Sequence, residues 1–320
     1  MGPAVAAALL LAADWPALEC HQRTITRAEF DRLLATVYCP SGAFTKYLRY
    51  STNSVAIVSK TNTLFTLHFA HSPLTAHHSP IHRIALDPGH IGGEWAQFED
   101  RHFTHGPGKP IEEATLNLTV ARLLKARLES AGRTVFLTKN DFQPVTDKRP
   151  PDARSDIAAR ARLVNTEFKP DLTVCIHFNA TSRGLVDDNR LTVFVHGNYL
   201  PAEVADDEQK FCLLSKLLER SHSTELDVAD AVARSLARAT GLEPLPPSEN
   251  AAPVNGHPYL LLRNLGANRQ IRGPVIYLEP YFMNNRTVWQ RLQRGDGSIF
   301  REYADAVADA IVNNEQRRRR

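Results

Sequence analysis

Short runs of apolar residues alternate along the chain with longer stretches whose apolar residues recur at helical spacing. From residue 83 onward, the short runs predict strands at residues 84–86, 134–138, 172–176, 191–195 and 275–278. The helical spacing predicts helices at residues 114–130, 156–165, 225–240 and 301–313. Strands that alternate with helices favour an α/β fold, with a twisted, mostly parallel sheet covered by helices on both faces.

The first part of the chain has a different pattern, which predicts a small α+β unit. Thr26 and Glu29 have the spacing of a capping box, which is typical of a helix start, and the helix is expected to run to Val37. Strand-like runs follow at residues 55–58 and 64–69. Nothing in this unit points to a particular chemistry.

Polar and proline-rich stretches indicate where the chain divides. Residues 72–80 predict a linker. Two further polar stretches interrupt the alternation of strands and helices and predict surface insertions. We expect some of these residues to border a substrate cleft. We therefore expect an N-terminal unit with its linker over residues 1–80 and a second domain over residues 81–320, with insertions near 201–223 and 244–258.

Composition narrows the class of protein without deciding its function. Of 320 residues, 43% are hydrophobic and 23% charged, which is ordinary for a globular protein. The formal net charge is only +3, and part of it comes from the terminal arginines at 317–320. A charge run of this kind is typical of a solvated tail, so we expect no nucleic-acid partner. No stretch is long enough for a transmembrane helix, so no stable membrane insertion is expected.

The cysteines and the N-terminus bear on the compartment. The four cysteines form no Cys-x-x-Cys pair, which argues against a zinc–thiolate site. Cys20 and Cys39 could pair in an oxidising compartment, and the sequence leaves this open. Residues 2–13 are apolar, like the core of a secretory signal, but they lack a basic start and a clean cleavage site. A first helix of the N-terminal unit is the alternative.

Side chains that can bind a metal ion follow three of the predicted strands. His90 comes after a Pro-Gly turn at the end of the first strand, His177 directly follows the strand at 172–176, and Glu279 ends the strand at 275–278. Each alone has an ordinary structural explanation: a surface residue, a core histidine, a strand terminus. Because parallel strands bring their carboxyl ends to one edge of a sheet, we expect all three side chains to meet there.

Two imidazoles and one carboxylate leave a fourth position on zinc for water, which is the arrangement of a catalytic zinc site. A further carboxylate beside that water could accept its proton. Glu112 and Glu113 stand at the start of the helix predicted from residue 114, where the helix dipole favours a carboxylate. The joint pattern therefore predicts a zinc hydrolase, with the site at the carboxyl edge of the sheet.

The residues around these positions resemble the zinc-dependent N-acetylmuramoyl-L-alanine amidases of the type 3 amidase family. The resemblance extends from about residue 83 to the C-terminus and departs from the family pattern at Ile91, Lys139, Pro280 and Tyr281. Several matched segments in the right order are more specific than any one motif. The matched segments are 87–93 (Asp-Pro-Gly-His-Ile-Gly-Gly), 113–118, 138–141, 157–165, 175–180 (Cys-Ile-His-Phe-Asn-Ala) and 278–285.

The resemblance implies roles for individual residues. It makes His90, Glu113 and His177 the zinc ligands, with Glu112 as the alternative if the helix register is shifted by one residue. It makes Glu279 the catalytic glutamate. Asn179 and Arg160 are candidate substrate-binding residues. The alternatives are a turn asparagine for Asn179, and for Arg160 an ion pair that orients the fold or a solvated position on its helix.

The function implied by the resemblance is hydrolysis of the amide bond between N-acetylmuramic acid and L-alanine in peptidoglycan, with Zn2+ as cofactor. Because peptidoglycan lies outside the cytoplasm, a location in the cell envelope (the periplasm) or secretion is expected, and a regulatory protein partner is left open. Two alternatives remain: a zinc peptidase that acts on other peptides, and a non-catalytic wall-binding or regulatory protein.

Overall fold

A computed structural model describes residues 13–60, 62–72, 80–99, 101–181 and 184–318. Most of the signal-like stretch and of the predicted linker, residues 1–12 and 73–79, lies outside this range. In the described part of the chain, no helix has the length and apolarity needed to cross a membrane. The strands are β1 (Leu48–Tyr50), β2 (Ser54–Val58), β3 (Thr63–His68), β4 (Arg83–Pro88), β5 (His102–Phe103), β6 (Ile111–Glu112), β7 (Thr134–Leu137), β8 (Leu172–Ile176), β9 (Arg190–His196), β10 (Glu243–Pro244), β11 (Ala252–Val254), β12 (His257–Arg263) and β13 (Val275–Glu279). The α-helices are α1 (Arg27–Leu33), α2 (Glu113–Ser130), α3 (Ala153–Leu163), α4 (Asp207–Glu219), α5 (His222–Thr240), α6 (Gly266–Gln270), α7 (Arg286–Gln293) and α8 (Ser298–Arg318).

The central sheet has the strand order β11-β12-β9-β13-β8-β4-β7, with β10 beside β9. Five of these strands are predicted from the sequence, and β10, β11 and β12 are not. The neighbours β13, β8, β4 and β7 are all parallel. At β9 the direction changes: β9 runs antiparallel to β13, whereas β10 and β12 run parallel to β9. The mostly parallel sheet is thus confirmed, and β4, β8 and β13 bring their carboxyl ends to one edge.

Helices cover both faces of this sheet because successive residues of a strand point to opposite faces. On one face Ile84 and Leu86 of β4 join the core beneath α2, α5 and α8. On the other face Ala85 joins a smaller core with Ala161 of α3 and Ala267 of α6. Strands buried on both faces are apolar throughout, which is why the sequence shows runs here and no alternation.

The N-terminal unit forms a separate antiparallel sheet, β1-β2-β3, preceded by α1. The predicted cap is confirmed, since the Thr26 side chain accepts a hydrogen bond from the Glu29 N–H at 3.2 Å. The unit packs against the larger domain: the N–H groups of Asn198 and Tyr199 donate to the carbonyls of Val37 and Tyr38. Its apolar side chains join the core of the larger domain. A domain boundary at residue 80 stays a prediction.

Most of the stretch 201–223, for which a surface insertion is predicted, forms α4, whose Leu213 and Leu217 are fully buried. The stretch is therefore not all at the surface, and an insertion at this place stays a prediction. The polar residue Lys216 of this helix is also buried. Its ammonium donates to the carbonyl oxygen of Gly273 at 2.7 Å and to Glu225 at 3.2 Å. A lysine whose charge is satisfied inside the core interrupts the apolar periodicity without interrupting the helix.

The stretch 244–258 likewise contains ordered strand, since β11 pairs with β12 at the edge of the sheet. The four cysteines all lie in the described residues and are free. Cys20 is exposed whereas Cys39 is buried, with its thiol donating to the carbonyl of Tyr199 at 3.5 Å. The pairing of Cys20 with Cys39 that the sequence left open is therefore not present in this structure.

Candidate metal centre

His90 follows the carboxyl end of β4. Gly89 makes the turn, and His90 then adopts a left-handed backbone conformation with a φ of 64°. A non-glycine residue holds this conformation only where the surroundings fix it, and such residues concentrate at functional sites. Two carboxylates flank the ring: its Nε2 lies 3.2 Å from Oε2 of Glu113, and its Nδ1 lies 3.2 Å from Oε2 of Glu99.

Glu113 is the first residue of α2 and contacts both histidines. Its Oε1 lies 2.9 Å from Nδ1 of His177 and accepts a longer hydrogen bond, at 3.3 Å, from the N–H of Phe178. A carboxylate at a helix N-terminus is stabilised by the helix dipole. This one is buried between two imidazoles, so its two oxygens are aimed at two different rings.

His177 directly follows β8 and is fixed mainly by packing. Its ring stacks on that of Tyr277, with ring centroids 4.1 Å apart and an angle of 14° between the planes. The backbone of Gly89 lies so close to the His177 ring that a Cβ on Gly89 would overlap the imidazole. Only glycine fits at position 89, which explains why the turn between β4 and His90 needs it.

The ligand atoms of His90, Glu113 and His177 all lie within 4.8 Å of one another. Two imidazole nitrogens and one carboxylate oxygen are a donor set that suits zinc, whose tetrahedral ligands lie about 3–4 Å apart. The chemistry of these donors therefore fits the predicted ion. The three predicted ligands come from three separate elements, β4, α2 and β8, and the structure brings them together.

The electrostatics of the cluster favour a cation at its centre. Burial would raise the pKa of Glu113, but the two histidines hold that pKa well below its usual range. Burial would lower the pKa of His90, but Glu113 and Glu99 raise it to about 9. Burial lowers the pKa of His177 to about 4, despite Glu113. Without an ion, Glu113 is thus an anion and His177 a neutral imidazole, as metal ligands need, whereas a metal would have to displace a proton from His90.

Glu279 ends β13, the strand next to β8. The backbone N–H of His177 donates to the carbonyl oxygen of Leu278 at 3.0 Å, which places Glu279 beside the cluster. Burial and the nearby charge of Glu113 raise the pKa of Glu279 to about 7. Among the described residues, no hydrogen bond to its carboxylate is found. A partly buried carboxylate with a raised pKa is typical of a group that moves a proton.

Comparison with known proteins agrees with this arrangement. The sequence profile of the N-acetylmuramoyl-L-alanine amidase family, Amidase_3, matches residues 84–313. This chain belongs to that family. The match confirms the predicted class of enzyme, an amidase that acts on peptidoglycan, and it spans every element that contributes to the metal centre.

Solved structures similar to this amidase come from several bacteria. An N-acetylmuramoyl-L-alanine amidase from Clostridium difficile 630 is 18% identical, with a TM-score of 0.48, and the match covers 74% of this chain and 95% of that one. Ami1 from Mycobacterium smegmatis is also 18% identical, with a TM-score of 0.48, and 75% and 100% are covered. Cwp6 from Clostridium difficile is 18% identical with a TM-score of 0.45, and the match covers 74% of this chain but only 29% of Cwp6. A search of curated proteins found no match to the chain.

Arg160 of this amidase is buried and forms two ion pairs. Its guanidinium donates to both carboxylate oxygens of Asp87 at 2.7 Å and to Asp156 at 3.0 Å, and its side chain is only 4% exposed. Of the roles that the sequence allowed, the ion pair matches these contacts and a solvated position does not, whereas a substrate-binding role for Arg160 stays a prediction. Since Asp87 lies three residues before His90 on β4, the pair fixes the end of that strand to α3.

Asn179 lies two residues after His177 and is partly exposed. Its backbone N–H donates to the carbonyl of Tyr281 at 2.7 Å, and its carbonyl accepts from Met283 at 2.8 Å. Its side-chain oxygen accepts from the N–H of Ala180, as expected of a turn asparagine. A role of Asn179 in substrate binding stays a prediction.

Glu112 is outside the cluster, since its carboxylate accepts hydrogen bonds from the Gly93 N–H and the Thr115 hydroxyl, both at 3.2 Å. The geometry therefore favours Glu113 over the alternative that the sequence left open. Sequence reasoning missed two residues of the site. Asn117, one helical turn after Glu113, donates to the carbonyl of Gly89 at 3.1 Å, and the helical spacing alone could have indicated it. Glu99, which contacts His90, lies in a stretch without periodicity and gave no signal.

Proposed function

We propose that this chain is a zinc-dependent N-acetylmuramoyl-L-alanine amidase, in which His90, Glu113 and His177 hold the ion and Glu279 is the general base. The observation that supports this most is the His-Glu-His cluster, with its ligand atoms within 4.8 Å of one another, beside a carboxylate of raised pKa. A zinc ion held there would polarise the scissile carbonyl and lower the pKa of water towards about 7.

The chain's own residues supply the remaining chemistry. Glu279 accepts the proton of the attacking water and returns it to the leaving nitrogen of L-alanine, a role that suits a partly buried carboxylate beside the cluster. With the ion bound, Glu113 and the two histidines would be unprotonated at their metal-facing atoms. The Asp87–Arg160 ion pair fixes the end of β4, and with it the turn that leads to His90, to α3.

The substrate bond we propose lies between the lactyl group of N-acetylmuramic acid and L-alanine. Peptidoglycan lies outside the cytoplasm, so we propose that the protein acts in the cell envelope, in the periplasm or after secretion. A regulatory protein partner and a substrate-binding role for Asn179 remain predictions.

The proposal is tested by digesting purified peptidoglycan with zinc-loaded and with chelator-treated protein and identifying the products by mass spectrometry. We expect free stem peptides that begin with L-alanine, released only by the zinc-loaded protein. Cuts confined to the interior of the stem peptide would indicate a zinc peptidase instead. Binding to the wall with no cleavage would indicate a wall-binding protein.

A matched pair of variants connects this activity to the cluster. Glu113→Gln should abolish both zinc uptake and product release, because it removes the carboxylate shared by the two histidines. Glu112→Gln changes the neighbouring carboxylate, which lies outside the cluster, and should leave both unchanged. Equal loss in the two variants would contradict the assignment of Glu113.

A further inference from the structure

Between His90 and Glu113, residues 93–99 and 101–112 form a strap beside the metal centre. It begins with a 3-10 helix, Gly93–Glu99, and continues into the short antiparallel pair of β5 and β6. Glu99 lies at the end of the 3-10 helix. The family assignment explains the ligands on either side of the strap, but it gives the strap itself no role.

Glu99 is the only described residue outside the ligand cluster that places a carboxylate on a ligand imidazole. Its Oε2 lies 3.2 Å from Nδ1 of His90 and accepts a hydrogen bond from the N–H of Ile91 at 2.7 Å. The Glu99 side chain is 4% exposed, so water competes little for these contacts. The His90 ring is therefore held at Nδ1 by one carboxylate while Nε2 faces another, Glu113.

We infer that Glu99 is a positioning residue that holds the proton of His90 on Nδ1 and so directs the lone pair of Nε2 at the metal. This inference rests on the proposed function, since it concerns how the same centre holds its ion. A carboxylate that accepts a hydrogen bond from the far nitrogen of a metal-ligating histidine fixes the tautomer and the ring orientation and increases the basicity of the ligand. Glu99 has the position and the burial for this role.

The surroundings of Glu99 suit a buried carboxylate. Its Oε2 contacts His90 and accepts from the N–H of Ile91, and two buried cations, Arg160 and Lys139, are close enough to interact with it electrostatically. A buried carboxylate with hydrogen bonds and cations around it can remain in place when a metal binds to His90.

The strap that carries Glu99 is anchored by hydrogen bonds at two places, which restricts the position of the Glu99 carboxylate beside the His90 ring. The side-chain amide of Gln293 on α7 exchanges two hydrogen bonds with the backbone of Lys109, at 2.8 and 3.2 Å. The carbonyl of Arg101 accepts a hydrogen bond from the N–H of Glu113 at 3.0 Å. One segment thereby contacts the surroundings of two ligands, His90 through a side chain and Glu113 through the backbone.

The test measures zinc affinity, by competition with a chromophoric chelator, for wild-type protein and for Glu99→Gln, Glu99→Ala and Glu94→Gln. We expect Glu99→Ala to bind zinc about 10- to 100-fold more weakly, the usual effect of removing such a partner. Glu99→Gln keeps an acceptor oxygen of the same reach and should recover part of the affinity. Glu94→Gln changes an exposed carboxylate on the same 3-10 helix and should bind like wild type.

A second readout reports on the proton itself. Nitrogen-15 spectra of histidine-labelled, zinc-loaded protein should show His90 protonated on Nδ1 in the wild type, and a changed Nδ1 signal in Glu99→Ala while the His177 signals stay in place. Because Glu99→Gln is nearly isosteric, it separates this effect from any failure of Glu99→Ala to fold. Unchanged zinc affinity and an unchanged His90 signal in both variants would overturn the inference alone. Wild-type protein that takes up no zinc would overturn the proposed function together with it.

Discussion

The two histidines of the metal centre face the same carboxylate but are held in different ways. His177 follows a buried central strand and is fixed by packing, with the Tyr277 ring on one side and the backbone of Gly89 against it. His90 sits on a turn, in a left-handed conformation, and is held by polar contacts with Glu99 and Glu113. They also present different atoms to Glu113, Nδ1 from His177 and Nε2 from His90.

This difference follows from where each residue lies in the fold. The backbone of a residue that directly follows a central strand is held rigidly by the sheet, so close packing is enough to orient its side chain. A residue on a turn lacks that support and needs hydrogen bonds from outside its own element to hold one orientation. We therefore expect the His177 half of the site to be sensitive to changes of shape, and the His90 half to changes of charge and hydrogen bonding.

The largest effect should come from filling the space beside His177. In Gly89→Ala the new Cβ would overlap the imidazole, so the ring must leave its position. We expect zinc uptake and peptidoglycan cleavage to be lost together, as measured by metal analysis and product release. Gly184→Ala is the control, because a Cβ there meets nothing within 4 Å. If Gly89→Ala retains normal zinc affinity, packing does not position His177.

The next effect separates holding the ion from reacting with the substrate. Glu279→Gln removes the proposed base but none of the cluster, so zinc affinity should be close to that of wild type. The turnover rate should fall by about 100- to 10,000-fold, the usual contribution of a general base. Steady-state kinetics on a soluble muropeptide, with metal analysis of the same sample, measure both. Near-normal turnover in Glu279→Gln would show that another group takes the proton.

The pH dependence should reflect the same glutamate. A general base works only when deprotonated, and burial together with Glu113 raises the pKa of Glu279 to about 7. A zinc ion bound to Glu113 would lower this pKa, so kcat/KM of the zinc-loaded enzyme should be constant near neutral pH and fall about tenfold for each pH unit below an apparent pKa no higher than about 7. A profile measured from about pH 5 to pH 9 tests this. A flat profile across the acidic limb would be inconsistent with Glu279 as the base.

The smallest effect should come from the ring that stacks on His177. Tyr277→Ala removes a stacking contact that typically contributes about 0.5–1.5 kcal/mol, so we expect zinc affinity to fall about 2- to 10-fold. Tyr277→Phe keeps the ring and should match wild type in the same chelator competition. If Tyr277→Phe is as weak as Tyr277→Ala, the hydroxyl group and not the stacked ring supports the site.

Much of this arrangement could be predicted from the sequence because the key residues follow apolar runs. His90, His177 and Glu279 each come at the end of such a run, and the carboxyl ends of parallel strands meet at one edge. The reversed direction of β9 could not be predicted, since a strand buried on both faces has the same apolar pattern in either direction. The helix α4 was not predicted for a related reason. A lysine looks exposed in the sequence, and the buried partners of Lys216, Glu225 and the carbonyl of Gly273, meet it only in the folded chain.

The contacts that hold His90 could not be predicted either. Glu99 lies in the strap, where no periodicity indicates which way a side chain points, and its position depends on how the 3-10 helix Gly93–Glu99 lies against His90. The role of Arg160 was left open because a helical arginine gives no sign of its partner, and Asp87 lies 73 residues away along the chain. Sequence patterns thus located the reacting groups and missed the residues that position them.

The most direct test of this account is anomalous diffraction at the zinc absorption edge from crystals of the zinc-loaded protein. The account predicts one strong peak bounded by Nε2 of His90, the carboxylate of Glu113 and Nδ1 of His177, with the carboxylate of Glu279 nearby but outside the ligand set. A peak elsewhere, or no peak among these three side chains, would contradict it.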